Sequence, residues 1–259
     1  MSFTFRGISS TTMGFNVTKR TVYTAPAYDV NTVEVPGRSG NVLIPQNRFK
    51  NKRVVYTGFL RADDFVGATK AAKLSAGLIA LKGWLLYEYI AGEYQTLTDD
   101  YDPGFTRYAY VEGETSITDI QDRPEGAEIS VTFDCQPFMY APDDTRTATT
   151  GDISLTNPYK FVAYPTISVK LSSSTGTLTI KDGYDTVNVW TFTGTSGDSF
   201  IFRPDAMEWI DGYGNLVNNK VTLTNASPLF PILNPEPNPM TISTTGISNI
   251  EVKPNWRTL

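Results

Sequence analysis

Apolar and polar residues alternate in short runs along most of the chain, the period-2 signature of strands with one buried face. Phe3 and Phe5 open the first run, a polar turn from Gly7 to Gly14 follows, and Phe15 to Val22 alternates imperfectly as a second strand. Val33 and Val35, separated by Glu34, give a third, half-buried strand. Pro36-Gly37 stops it, because proline lacks a ladder donor and glycine permits positive φ. Arg38-Ser39-Gly40 adds a second flexible point, Pro45 breaks the apolar run Val42-Leu43-Ile44, and Val54-Val55-Tyr56 starts a return strand. The pattern is a strand, a long excursion and a strand, and the rest of the chain is organised around it. An excursion of that length is either functional or disordered. Arg38, Arg48, Lys50, Lys52 and Arg53 make it locally basic.

One helix is predicted. Ala71, Leu74, Leu78 and Leu81 recur at helical spacing, Asp63 or Asp64 supplies an N-terminal cap, and Gly83 suits the C-terminus. Trp84 to Tyr89 and Tyr94 to Leu97 then read as strands around an Ala91-Gly92 turn, followed by the acidic turn Asp99-Asp100-Tyr101-Asp102-Pro103-Gly104. Residues 108–111 and 128–135 are again strands, the second cleanly alternating.

Patterning weakens over 141–152, which places a domain boundary there: an N-terminal domain at 1–140 and a C-terminal one at 141–259 that includes the linker. Beyond it come short strands at 166–171, 176–181, 187–192, 200–203, 207–210 and 221–224, with tight-turn signals at Asp182-Gly183, Asp211-Gly212 and Gly214-Asn215. Many strands with almost no helix signal imply a β-sandwich of jelly-roll kind. The proline-rich stretch 228–239 is too apolar for a plain linker and is expected to pack along the sandwich, before last strands at 240–242 and 250–253.

Composition narrows the function classes. The 259 residues, 40% of them hydrophobic, suffice for a real core, and no run approaches the length of a membrane span. The opening Met1 to Arg6 reads as a strand and not as a secretory leader. A net charge of −5 argues against a dedicated nucleic-acid binder. A single cysteine, Cys135, rules out an intrachain disulfide and fits synthesis in a reducing cytoplasm. It reads as a small buried apolar residue. The chain has no histidine, so neither a Ser-His-Asp nor a Cys-His nucleophile system is available.

What remains as chemistry is weak. Asp99, Asp100 and Asp102 fall short of an EF-hand loop and read as a solvated turn. Glu34, Glu88, Glu125, Glu128 and Glu208 supply carboxylates for a glycosidase pair, but nothing in the sequence sets two of them at the required separation. Tyr184, Trp190, Trp209 and Tyr213 are candidates for a sugar platform, or equally for core and subunit contacts. Pro36-Gly37-Arg38-Ser39-Gly40 matches no phosphate-binding pattern and is turn chemistry. No cofactor or metal is expected.

The order of segments resembles the distal tail proteins (Dit family) of bacteriophages with long non-contractile tails, the siphoviruses. The residues that carry the likeness are Phe3-Thr4-Phe5-Arg6-Gly7-Ile8, Val33 to Gly40, Trp84-Leu85, Asp102-Pro103-Gly104-Phe105-Thr106-Arg107, Val131 to Phe138, Asn157-Pro158, Tyr164-Pro165-Thr166-Ile167, Pro228 to Pro235 and Val252 to Arg257. They span nearly the whole chain.

The resemblance implies a mainly β chain. Its N-terminal domain would be a β-sandwich or split barrel with one α-helix and a long hairpin arm, followed by a C-terminal galectin-like (jelly-roll) β-sandwich. It implies a non-enzymatic hub in the virion, at the distal end of the tail: a homo-hexameric ring joining tail tube to baseplate or receptor-binding apparatus, with DNA passing through its centre. The implied neighbours are the major tail protein, the tape measure protein, the tail-associated hub protein and receptor-binding or side-fibre proteins. No sequence-specific nucleic-acid binding and no membrane is implied. Arg38, Arg48, Phe49 and Arg53 are the candidate subunit-interface residues. The alternative is a carbohydrate-binding β-sandwich module that adheres to the host cell wall.

Overall fold

The computed structural model describes residues 1–21, 25–86, 93–112, 116–119, 126–149, 152–181, 187–224, 230–235 and 239–259. The expected Ala91-Gly92 and Asp182-Gly183 turns, Tyr184, Glu88, Glu125 and parts of the proline-rich stretch lie outside them. The chain is mainly β and divides into two compact units, Met1–Met139 and Tyr140–Thr258.

The first unit comprises β1 (Phe3–Phe5), β2 (Ile8–Ser9), β3 (Phe15–Arg20), β4 (Tyr28–Val33), β5 (Val42–Phe49), β6 (Lys52–Arg61), α1 (Lys70–Leu86), β7 (Gln95–Asp99), β8 (Thr106–Val111), β9 (Ser116–Asp119) and β10 (Gly126–Tyr140). Its main sheet runs β2-β1-β7-β8-β10-β6-β3, with β9 also on β10. β4 and β5 stand apart as a two-stranded ribbon. Inward positions carry the core, as alternation dictates: Val54, Tyr56 and Leu60 on β6 face Ile129, Val131, Phe133 and Cys135 on β10. Phe3 sits among Phe15, Tyr56, Trp84 and Phe133 at ring separations of 4.5–5.9 Å. These are favourable offset and edge-on distances.

The helix begins later and ends later than the sequence predicts. Asp63 and Asp64 lie in a 3-10 turn (Ala62–Asp64), and α1 is capped by Thr69, whose Oγ1 accepts the Ala72 N–H at 3.2 Å. Gly83 is internal, and Trp84-Leu85-Leu86 is the last helical turn, not a strand. Trp84 and Leu85 are both buried against the sheet, and Trp84 Nε1 donates to the Phe5 carbonyl at 3.2 Å. Two consecutive buried apolar residues imitate a strand in sequence, whereas here they complete the helical stripe of Gly77, Leu81, Trp84 and Leu85.

The helix is held by a ring against two glycines. A Cβ on Gly77 would lie 2.5 Å from the Phe65 ring, and one on Gly14 would lie 2.6 Å from the same ring. Gly77→Ala therefore sets about 1 kcal/mol of helix propensity against about 1–3 kcal/mol of overpacking. The expected outcome is a net loss of stability in urea unfolding, opposite in sign to the propensity effect.

The second unit comprises β11 (Arg146–Ala148), β12 (Ile153–Leu155), β13 (Thr166–Leu171), β14 (Thr175–Lys181), β15 (Val187–Thr193), β16 (Ser199–Arg203), β17 (Glu208–Asp211), β18 (Val221–Thr224), β19 (Met240–Thr245) and β20 (Ile247–Lys253). They form two five-stranded sheets, β11-β20-β13-β16-β17 and β12-β19-β14-β15-β18. The inner faces interdigitate as in a β-sandwich. Phe192 of one sheet lies 5.1 Å from Phe200 and 4.9 Å from Trp209 of the other. Trp190 and Trp209 are buried core residues and offer no exposed sugar platform; Tyr213 stands out in solvent. Within the proline-rich stretch, Leu233 is buried and exchanges two backbone hydrogen bonds with Ala163, while Phe230 stacks on Phe202.

Candidate functional site

The excursion is itself ordered as a strand. β5 pairs antiparallel with β4, with Val33 opposite Val42, Thr32 opposite Leu43, Asn31 opposite Ile44 and Val30 opposite Pro45. Pro45 thus lies within a strand and does not end one. A ribbon has two open edges, where a missing N–H need not remove a ladder bond. Gly37 and Gly40, at φ +80° and +83°, shape the connecting turn. The Arg38 N–H donates to the Val35 carbonyl at 3.1 Å.

Alternation places Val33, Val42 and Ile44 on one face of the ribbon and Val30, Leu43 and Pro45 on the other. Neither face is covered. Val33 and Val35 are not half-buried as expected but exposed, and so are Leu43 (66%) and Ile44 (45%). An isolated two-stranded ribbon is marginal in water.

The ribbon's root is fixed by side chains. Asp29 accepts from Arg48 Nε at 2.8 Å and lies 3.2 Å from Lys50 Nζ. Hydrogen bonds from Arg48 and Lys50 hold the Asp29 carboxyl below the ordinary aspartate range. The Tyr28 hydroxyl donates to Asn47 at 3.1 Å, and Phe49 sits edge-on to Tyr28 at 5.3 Å and to Phe138 at 5.9 Å. The four candidate interface residues are therefore not one patch. Arg38 occupies the tip turn, Arg48 and Phe49 the root, and Arg53 lies on β6, where it donates twice to Glu112 at 2.5 and 2.6 Å. Sequence reading missed Asp29. The signal was present, since an acid beside a basic excursion is its natural counter-ion.

The acidic turn is solvated at Asp100 but not at Asp99. Asp99 is buried and meets Arg20 Nη1 at 3.3 Å, Arg107 Nη1 at 3.4 Å and the Tyr56 hydroxyl at 2.5 Å. Its other oxygen accepts the N–H groups of Tyr101 and Asp102, each at 3.0 Å. Asp102 pairs with Arg20 at 2.9 Å and with Arg107. Burial pushes the Asp102 carboxyl up, but hydrogen bonds from Arg107 and Arg20 outweigh it and hold it below the ordinary range. Lys52, opposite Cys135 across β6 and β10, adds a third cation, and burial lowers its pKa. Burial raises the Tyr56 hydroxyl well above its usual value and pushes the Cys135 thiol up to about 12. Both Asp99 oxygens and Asp102 Oδ2 are engaged by these groups. Among the described residues no cluster of acids and cysteine is placed to hold a metal ion. No described helix is long and apolar enough to cross a membrane.

The architecture has a solved counterpart. The crystal structure of the SPP1 Dit (gp 19.1) protein, described as a paradigm of the hub adsorption apparatus in phages infecting Gram-positive bacteria, superposes with a TM-score of 0.75. The chain has the Dit fold. The match covers 100% of this chain and 99% of SPP1 Dit, at 17% sequence identity. It therefore spans both units, the Dit-like ribbon unit and the sandwich unit. No family model matches the chain, and no curated protein does.

Proposed function

We propose that this chain is a non-enzymatic hub of a phage tail tip, working as a homo-hexameric ring at the distal end of the virion's tail. The observation that carries the reading is the separate β4–β5 ribbon, whose strands are tied together at the root by Asp29 and Arg48, which meets β10 through Phe49 and Phe138, and which exposes apolar residues on both faces. Such a ribbon is stabilised by a partner surface, and a head-to-tail contact between identical chains closes into a ring when its rotation permits. The full-length likeness to SPP1 Dit supports the same reading. In it the ring joins tail tube to baseplate, DNA passes through the centre, and the neighbours are the major tail, tape measure and tail-associated hub proteins. The galectin-like sandwich faces receptor-binding or side-fibre proteins. The carbohydrate-module alternative loses support, since two of its four platform residues, Trp190 and Trp209, are buried.

Light scattering across a concentration series tests the proposal. The expected mass is about six copies of the 28.6 kDa chain; a monomer at every concentration counts against it. Arg38→Glu, at the exposed tip, is expected to weaken assembly about tenfold with the monomer's near-UV dichroism unchanged. Arg48→Glu and Arg53→Glu also break pairs within the chain, with Asp29 and Glu112 respectively. Intact rings in all three variants would end the electrostatic part of the reading.

A further inference from the structure

The inward stripe of β6 ends on a charge. Lys52, Val54 and Tyr56 alternate on the buried face of the strand, and Lys52 is only 9% exposed. Its register partner on β10 is Cys135, not an acid. Arg20 closes β3 and Arg107 lies near the start of β8, both buried, so this end of the sheet holds three buried cations. Two carboxylates answer them. Asp99 and Asp102 are each shared by the two arginines, and Asp99 also accepts from the Tyr56 hydroxyl. Among the described residues the Lys52 ammonium makes neither an ion pair nor a hydrogen bond, and Asp102 acts on it only at longer range. The arginines are short of acceptors as well. Arg20 Nε and Arg107 Nε are buried without a partner, and Arg107 Nη2 also meets the Met139 sulfur at 2.6 Å, a weak acceptor.

Buried charges in folded proteins are paired, and buried donors are hydrogen-bonded. Here the excess is positive and the unfilled groups are all donors. A water molecule accepts from an N–H but brings no charge. An acceptor that is itself negative and offers several lone pairs answers both shortages. We infer that this end of the N-terminal sheet binds a small oxyanion, held by Lys52 together with Arg107 and Arg20. A tetrahedral ion such as phosphate or sulfate suits donors that arrive from three different strands, because its oxygens point in several directions. The Lys52 ammonium, unlike the two Nε atoms, is not sealed from solvent, so an ion can reach it. Burial and the Arg107 charge lower the Lys52 pKa, and an anion beside it counters the Coulomb part and keeps the ammonium protonated. The site lies within the N-terminal unit and is independent of the ring reading.

Equilibrium dialysis of the full chain against radiolabelled inorganic phosphate, at constant ionic strength in sodium chloride, tests the site. The wild type is expected to take up a single phosphate per chain saturably, with sulfate competing for it. Acetate competing as well as sulfate supports the same donors and points to a carboxylate, such as a neighbouring protein's side chain, as the natural source. Lys52→Met keeps the buried stem and removes the charge, and replacing a buried unpaired charge by an apolar group of similar volume leaves the fold intact. It is expected to lower phosphate affinity about tenfold or more, the worth of one charge-assisted hydrogen bond. Lys52→Gln is the second variant, with the same expectation, and near-UV dichroism checks the fold of both. Lys50→Met removes an exposed cation two residues away, one that pairs with Asp29, and is expected to leave uptake unchanged. Absence of saturable uptake by the wild type overturns the site, as does equal uptake by the folded Lys52 variants. Equal losses in Lys52→Met and Lys50→Met overturn it too, since a diffuse basic surface would then hold the ion.

Discussion

Replacing Asp99 by alanine is expected to destabilise the N-terminal unit by about 3–5 kcal/mol. The carboxylate is buried and joins Arg20, Arg107 and Tyr56, and Lys52 stands nearby as a further buried cation. Without it, Asp102 alone faces the two guanidinium groups, whose Nε atoms are already buried without hydrogen-bond partners. The loss is one of uncompensated desolvated charge, so added salt should restore little of it. Asp100→Ala, one residue away, is the control. That carboxylate is exposed and accepts from the Ser2 N–H and hydroxyl at 2.7 and 2.9 Å. Its removal should cost no more than about 1 kcal/mol. Urea unfolding of both variants distinguishes a buried network from a solvated turn; equal small losses would mean the network contributes nothing. Acid probes the same group. Asp102 has a folded pKa below its unfolded value, so the stability it contributes is complete above about pH 4 and is lost as pH falls through the lowered folded value.

The largest expected effect in the sandwich unit is at Gly246. It lies between β19 and β20, which belong to opposite sheets, so it is the corner where the chain crosses the sandwich. Its φ is +68°, and its carbonyl accepts the Ser172 N–H at 3.0 Å. An added Cβ would run into the Thr175 carbonyl oxygen and lie 3.3 Å from the Gly176 Cα, both backbone atoms that cannot rotate away. Gly246→Ala therefore combines left-handed strain with a backbone collision, together about 2–4 kcal/mol. Gly214, at φ +87° with open space around it, carries the strain alone, and Gly214→Ala should cost about 1 kcal/mol. The difference between the two variants in thermal or urea unfolding measures the collision. If the two losses are equal, the corner is not tight.

Much of the sandwich was legible because alternation there is nearly complete. Ile167, Val169 and Leu171 on β13, and Leu178 and Ile180 on β14, are buried at every second position. The helix was legible in its middle and misread at both ends. Asp63-Asp64 is a strong local cap signal, but tertiary packing of Phe65 between Gly14 and Gly77 spends those residues on a 3-10 turn and hands the cap to Thr69. The ribbon was read as an excursion because Pro45 forbids a central strand, and a two-stranded ribbon has no central strand. The Asp99 network was not legible at all. Its first guanidinium comes from Arg20, 79 residues away, and no local pattern distinguishes a carboxylate that will meet two arginines from one that will meet water. The four interface candidates illustrate both sides. The basic excursion pointed to Arg48 and Phe49, which do anchor the ribbon's root, but adjacency in sequence could not show that Arg53 belongs to a different strand with Glu112 as its partner.

The single thiol makes this chain its own clock. Cys135 lies on the buried face of β10 beneath the N-terminal core, with its pKa pushed up to about 12, so at neutral pH the closed protein presents almost no thiolate and no path for a reagent. A thiol-modifying reagent can act only on molecules in which β10 has parted from β6. Its rate then reports the opening equilibrium of that unit whenever reclosing outpaces modification. Incorporation into an assembly that holds the N-terminal unit shut would register as a slowing of the same reaction, with no label added to the protein.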